Sequence, residues 1–316
     1  MSSSRLSKLP TEILNVIDVF AYIPMYVYTE SGKIYFQFQG EHKNIDFGYM
    51  MFARQYNNRL YMIVVHDDKL TVREYDVKDL SNYNVLFEKE VTDNDVTKFY
   101  GYSRDNFYFT VHALQNKNPD IYYFDAKTRQ FYETNLPGVK HFEVNYNGYF
   151  GVSDGEIYQV IDQSQNPILQ MKVEKDHKLP LLTDNYLVRS VDGGIKIVEI
   201  ATKKQYKTLS LSVELQTYHW DDIIFVKEGN VYHGISIPLL INHGYDKDKV
   251  VVLKREGTHE QLLYRDDRYL YFSEIERDLV YRMELATHTL TVYDTGVHNL
   301  MRIKTLFFGS RNVLRR

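Results

Sequence analysis

The 316-residue sequence contains no cysteine, one tryptophan and only seven prolines. The absence of cysteine excludes disulfides, thiolate nucleophiles and Cys-ligated zinc or iron–sulfur centres. No apolar run approaches the roughly 20 residues that cross a bilayer as a helix. Residues 1–9 carry Ser2, Ser3, Ser4, Arg5 and Lys8, with no apolar signal-peptide core behind them. No Asn-x-Ser/Thr acceptor occurs anywhere in the chain. These absences lead to the expectation of an intracellular protein, cytoplasmic or nuclear, with no membrane association. Neither sign of charge dominates: Lys plus Arg is 38 against 42 for Asp plus Glu, a formal net charge of −4. Binding to a phosphate backbone needs clustered cations, so nucleic acid is not the expected partner.

Catalytic signatures are missing as well. The chain has no Gly-x-Ser-x-Gly elbow, P-loop, His-Glu-x-x-His or dinucleotide fingerprint. Its 11 histidines are scattered. His219, His233 and His243 fall nearest one another, but spacings of 14 and 10 match no local ligand pattern. Neither a metal nor any other cofactor is expected. The pairs Asp67-Asp68, Asp221-Asp222 and Asp266-Asp267 invite comparison with the two carboxylates of a glycosidase. Adjacent aspartates in a turn point apart, however, and Asp and Asn suit turns because they bond nearby backbone and tolerate unusual dihedrals. The pairs are therefore read as solvated structural punctuation.

What the chain has in excess is tyrosine, 28 residues, with 17 phenylalanines. With Val and Ile they fill short alternating runs such as 60–65, 70–75, 107–112 and 269–273, the pattern of half-buried strands. Asn57, Asp105, Asn147, Asp184, Asp221 and Asp266 mark a recurring polar turn, at separations of 48, 42, 37, 37 and 45 residues. A second turn follows each about ten residues later, and a third precedes an outer strand. Three turns imply four strands per unit, and four-stranded units at this period are the signature of propeller blades. Six units are legible, at 47–90, 96–134, 139–173, 179–210, 213–254 and 260–294. A hairpin at 22–29 and 33–39 and a lone strand at 301–308 remain, and joining them makes a seventh blade that removes open sheet edges. The expected fold is all-β: a seven-bladed β-propeller closed by the N-terminal hairpin and C-terminal strand, with a short N-terminal helix. Two stacked sandwiches are the alternative. The expected divisions are a tail and helix at 1–20, the propeller at 21–310 and a basic tail at 311–316.

Residues 121–133, IYYFDAKTRQFYE, and 280–293, VYRMELATHTLTVY, resemble the outer half of a kelch-type blade, in which an aromatic strand leads through a polar turn to an outer strand. The paired glycines and Trp of kelch units do not recur here, so the resemblance implies architecture and no activity. At the other end, the stretch from Leu9 and Pro10 through Glu12, Ile13, Leu14 and Ile17 resembles the opening of an F-box. Pro10 suits a first helical turn, Glu12 favours the positive end of the helix dipole, and the four aliphatics share one face. The resemblance covers about 12 residues and implies docking on a Skp1-type adaptor. The alternative is a helix packed on the propeller rim or used for another partner.

Two further candidate contact regions complete the reading. Residues 237–249 form the largest insertion, IPLLINHGYDKDK, with Leu239, Leu240 and Ile241 as an apolar run in an expected loop. The C-terminal stretch has Arg302, Lys304, Arg311, Arg315 and Arg316 and no acid after Gly296, a patch for an acidic partner or simply a solvated tail. Loops at 91–96, 114–119, 174–178 and 255–260 share one expected face. The function expected is a noncatalytic protein–protein interaction scaffold, a subunit or substrate-receptor-like adaptor of a complex. The alternatives are an enzyme with a carboxylate/His site in the central channel and a nucleic-acid-associated propeller.

Overall fold

The structure is a computed structural model and describes residues 22–38, 41–92, 95–113, 120–134, 136, 138–173, 178–206, 209–210, 214–256, 260–274, 279–293 and 303–310. The chain is an all-β, seven-bladed β-propeller of seven four-stranded antiparallel sheets. Blade I begins with β1 (Tyr22–Glu30), β2 (Lys33–Phe38) and β3 (Glu41–Phe47). Blade II is β4 (Tyr49–Tyr56), β5 (Arg59–His66), β6 (Lys69–Asp76) and β7 (Asp79–Glu90). Blade III is β8 (Asp95–Tyr102), β9 (Asn106–Ala113), β10 (Ile121–Asp125) and β11 (Gln130–Thr134). Blade IV is β12 (His141–Val144), β13 (Phe150–Ser153), β14 (Ile157–Ile161) and β15 (Pro167–Lys172). Blade V is β16 (Leu181–Leu182), β17 (Tyr186–Val191), β18 (Gly194–Glu199) and β19 (Leu209–Ser210). Blade VI is β20 (Glu214–Trp220), β21 (Ile223–Glu228), β22 (Val231–Ser236) and β23 (Val251–Glu256). Blade VII is β24 (Glu260–Arg265), β25 (Tyr269–Glu274), β26 (Leu279–Glu284) and β27 (Leu290–Tyr293). The last strand, β28 (Ile303–Ser310), completes blade I by pairing with β1 from Tyr22↔Ser310 to Tyr28↔Ile303.

Closure of one blade from both chain ends matches the sequence expectation, with one addition. The N-terminus supplies three strands, not two, because Glu41–Phe47 pairs with β2. That segment reads EHKNIDF, too polar to announce itself as a strand. The insertion after β22 also differs from the loop expected. It folds as α1 (Ile237–His243) and α2 (Lys247–Val250), with Pro238 in the first turn of α1 and Ile237 and Leu240 buried three residues apart. Among the described residues no helix is long and apolar enough to cross a membrane. Residues 1–21 and 311–316, including the F-box-like stretch and Arg315 and Arg316, lie outside the described residues.

Two compact units are distinguished, one of Met1–Asp93 with His259–Arg316 and one of Asn94–Thr258. In the first, period-two alternation along β1 feeds two cores: Met25 and Val27 join Phe36, Met62 and Val64 of blades I and II, while Tyr26 joins Leu263, Tyr271 and Val280 of blade VII. In the second, Tyr158 and Val160 of blade IV pack with Leu182, Leu187 and Val198 of blade V. Their neighbour Ile161 packs the other way, with Tyr108, Phe142 and Phe150 of blades III and IV. Tyr26, Tyr61, Tyr75, Tyr108 and Tyr158 are among the largest fully buried side chains, which places the tyrosine surplus between sheets.

The first unit also encloses a charged knot. Arg73 Nη1 donates to Asp46 Oδ2 at 2.5 Å and to the carbonyl of Phe47 at 3.1 Å, and its Nε donates to Thr71 Oγ1 at 2.9 Å. The Tyr75 hydroxyl also donates to Asp46, and Arg73 lies 5.0 Å from the ring centroid of Tyr83. Both ionic side chains are nine-tenths buried, at 5% and 9% exposure. Burial and the hydrogen bond to Asp46 hold the Tyr75 phenol far above its usual range. A buried ion survives only while paired, so Asp46→Ala or Arg73→Ala should each cost about 3–5 kcal/mol in urea unfolding. The double variant should lose clearly less than the sum of the two, because it strands neither charge.

Candidate functional site

The turn between first and second strands, which carried the repeat in the sequence, is where blades III to VI of the second unit are tied together. Arg104 N donates to the carbonyl of Tyr146 at 2.8 Å, from blade III to blade IV. Asn145 Nδ2 donates to the carbonyls of Thr183 and Asp184 at 2.7 and 3.0 Å, from blade IV to blade V. Thr183 Oγ1, Asn185 N and Asn185 Nδ2 then donate to the carboxylate of Asp222 at 2.7, 2.9 and 2.6 Å, from blade V to blade VI. The aspartate turns are thus not all solvated punctuation. Asp67 and Asp68 fit that reading: both are exposed, with φ of 48° and 58°, the left-handed pair of a two-residue hairpin. Asp222 does not. It is buried at 8% exposure, and burial raises its pKa above the ordinary carboxylate value while its three donors pull it back.

The densest group of titratable side chains in blade IV is His141, Glu143 and Tyr158. Tyr158 reaches across β13 and donates to Glu143 Oε1 at 2.5 Å, while His141 Nε2 stands 3.5 Å from the same oxygen. Gly151 makes this crossing feasible, since a Cβ there would lie 2.1 Å from the Tyr158 hydroxyl. Burial, reinforced by the Glu143 charge, lifts the Tyr158 phenol well above its usual range, so it stays a donor. All three side chains come from one blade.

The histidines of blade VI do not form a metal centre, and among the described residues no group of three His, Asp or Glu could hold a metal ion. His219 Nδ1 lies 3.3 Å from the carbonyl of Asp221, and His243 is exposed in the last turn of α1. His233 is buried, with Nε2 3.3 Å from Glu228, whose carboxylate also accepts from Lys247 Nζ at 2.7 and 2.5 Å. Burial lowers the His233 pKa against the opposing pull of Glu228, which favours the neutral ring.

Of the apolar run in α1, Leu240 is fully buried, and Leu239 and Ile241 are half-buried against the core of blades V and VI. The run therefore covers that core with its own side chains and offers no open apolar patch. The loops at 114–119 and 174–177 lie outside the described residues. A feature the sequence reading missed lies between blades IV and V. A cavity of about 200 Å³ is lined by Met171, Lys172 and Val173 of blade IV, by Lys178 and Pro180, and by residues 189–192 of blade V. The available signal was a cation, Arg189, inside the strand YLVRSV, directly opposite a second cation, Lys196.

No protein-family model matches the chain, and no curated protein matches it in sequence. Among solved structures it is similar to an uncharacterized protein from Listeria monocytogenes EGD-e, at 12% identity and a TM-score of 0.52, covering 86% of this chain and 90% of that one. It is also similar to a chain from a structural and mechanistic study of two prolyl endopeptidases, at 10% identity and a TM-score of 0.51. That likeness covers 94% of this chain and only 54% of the other. AztD from Citrobacter koseri aligns at 8% identity over 92% of this chain and 98% of its own, with a TM-score of 0.44. At these identities the first two likenesses show the fold alone.

Two measurements check the assignments made to these side chains. Asp222→Ala removes an acceptor shared by Thr183 and Asn185, whose donors can turn to the Tyr186 carbonyl and to water, so urea unfolding should register a loss of about 1 kcal/mol. For His233 burial holds the folded pKa below the ordinary histidine value of about 6.5, so the unfolded chain binds more protons as pH falls through that value. Stability tied to His233 is then present above about pH 6.5 and lost as pH drops toward the folded value. The unfolding midpoint of the wild type should accordingly fall more between pH 7 and 5 than that of His233→Gln.

Proposed function

We propose that this chain is an intracellular, noncatalytic protein–protein interaction scaffold: a propeller at 21–310 that presents its loops and terminal segments at 1–20 and 311–316 to partners in a larger assembly. The observation that carries this reading is the fate of the turn carboxylates. Asp222, the buried member of the pairs that suggested chemistry, has its oxygens engaged by three donors from the adjacent blade. A carboxylate committed in this way is a fastener, and a fastener between blades is what a rigid platform for loops requires.

The N-terminal stretch Leu9, Pro10, Glu12, Ile13, Leu14 and Ile17 is the docking element of this proposal, with a Skp1-type adaptor as partner on the F-box resemblance. Arg315 and Arg316 provide a second, cationic contact, and the kelch-like outer strands supply the frame. A second reading, an enzyme, is favoured by one observation, the partly exposed His141 and Glu143 beside Tyr158. Glu143 there shares one oxygen between Tyr158 and His141, an arrangement that also serves simply to seat a buried tyrosine over Gly151.

Affinity purification of the intact protein beside a form lacking residues 1–20 tests the proposal. Recovery of a Skp1-type adaptor with the intact chain alone is the expected outcome. Turnover of a small molecule that is lost in Glu143→Gln, with no stable partner in either preparation, would sink the scaffold reading in favour of the enzyme.

A further inference from the structure

The insertion between β22 and β23 leaves the sheet at Ser236 and rejoins it at Val251. Ile237, Leu240 and Val250 press it onto the core that it shares with Val226 and Ile235 of blade VI. Beyond that apolar contact it reaches the opposite end of the strands, where Lys247 Nζ donates to both oxygens of Glu228, the last residue of β21. The same carboxylate stands 3.3 Å from Nε2 of His233, so one acid serves both the insertion and the sheet. His233 lies directly opposite Val226 and two residues from Ile235, on the face that the insertion covers.

With Nε2–H directed at Glu228, the neutral ring keeps Nδ1 as its basic atom, and Nδ1 is buried with no hydrogen-bond partner. A proton taken up there becomes an N–H donor without an acceptor, on a side chain only 8% exposed. The surrounding charges oppose it as well. Glu228 from β21 attracts an imidazolium, but Lys247 from α2 and Lys254, the cross-strand neighbour on β23, both repel it. The other charged groups nearby are engaged elsewhere: Lys227 over the Tyr232 ring, Asp246 with Lys249, and Glu199 of blade V with the Thr202 and Tyr206 hydroxyls. His243 and Asp248 are exposed, and burial keeps the Tyr186 and Tyr245 phenols neutral.

We infer that the insertion at 237–250 is an acid-loosened strap: protonation of His233 at Nδ1 favours a state in which the tip carrying Lys247 has lifted from Glu228 and water reaches the ring. The strap is the element that yields, because its tip is held by an ion pair whose partners are each nearly half exposed, whereas β21, β22 and β23 are held by backbone ladders. Burial holds the closed His233 below its ordinary range, and lifting returns it to about 6.5. The lifted state therefore binds more protons, and the closed state loses ground as pH falls through that value. One proton shifts such an equilibrium by at most about tenfold per pH unit. Lifting uncovers Leu239, Leu240 and Ile241, the apolar run that the closed strap keeps against the core. The strap goes beyond the scaffold reading and does not depend on it.

Amide hydrogen exchange of the full-length chain, read by mass spectrometry between about pH 7.5 and 5 and corrected for the intrinsic pH dependence of exchange, tests the strap. Protection within 237–250 should fall by up to about tenfold per pH unit below about pH 6.5, while β12 to β15 of blade IV keep theirs. His233→Gln should abolish that dependence. Lys254→Gln, an exposed change that removes one repelling cation, should move the loss to lower pH, and provides the test should His233→Gln fail to fold. Strap protection independent of pH in the wild type would overturn the inference, as would a loss that persists unchanged in either variant. Loss spread evenly over blades IV and VI would overturn it too, since that reports global destabilisation. No partner enters this measurement, so its failure leaves the outcome of the affinity purification untouched.

Discussion

A blade is a sheet with two faces, and in this chain both have to be apolar. Blade IV buries Ile161 toward blade III and Tyr158 and Val160 toward blade V, while blade I sends Tyr26 one way and Met25 and Val27 the other. This double burial is the constraint on which much else depends. It explains why strands such as Arg59–His66 are buried almost without interruption, at Leu60, Tyr61, Met62, Ile63 and Val64, instead of alternating with polar residues. It also explains the tyrosines. A face that must fill the gap between twisted sheets needs large rings, and a phenol can place its hydroxyl on an acceptor such as the buried Asp46 or the half-buried Glu143.

The polar turns are the complement of that packing. Where sheets meet at their ends the backbone of one turn faces the backbone of the next, and donors and acceptors cannot all be satisfied within a blade. Asn145, Thr183, Asn185 and Asp222 resolve this by bonding across it. The recurrence of Asn and Asp at this turn therefore has two origins. One is conformational, as at Asn57 and Asp221 with φ of 51° and 52°, where short polar side chains tolerate the left-handed region. The other is the pairing of neighbouring blades, which a turn preference alone would not produce.

This double origin shows what was legible in the sequence. The blade pattern was, because turn residues and β-branched or aromatic runs are local signals that recur, and because two leftover segments, the N-terminal hairpin and C-terminal strand, fitted one another. β3 was not, since Glu41–Phe47 is polar and becomes a strand only by pairing with β2. Nor was α1, whose apolar run has no strand period and takes its shape from the core beneath it. The burial of Asp222 was invisible for a related reason. A single Asp-Asp pair looks the same whether its second member meets water or the Thr183 hydroxyl of a residue 39 positions away. Local pattern reports the turn, but only tertiary contact reports which side chain is enclosed.

The same distinction separates the buried acids from the buried base. A carboxylate in a turn or near a strand end of this fold lies where adjacent backbone and side-chain donors converge, so enclosure brings partners with it, as at Asp222 in its turn and Asp46 near the end of β3. A guanidinium in a strand facing a neighbouring sheet meets no such supply, because backbone carbonyls there are already committed to the ladder. Arg73 escapes this through the carboxylate of Asp46 and the free carbonyl of Phe47 at the end of β3. Arg189 has neither, and its cross-strand neighbour is a lysine. Arg73 thus owes its burial to an anion supplied by a strand of the adjacent blade, a contact that no pattern within β6 records.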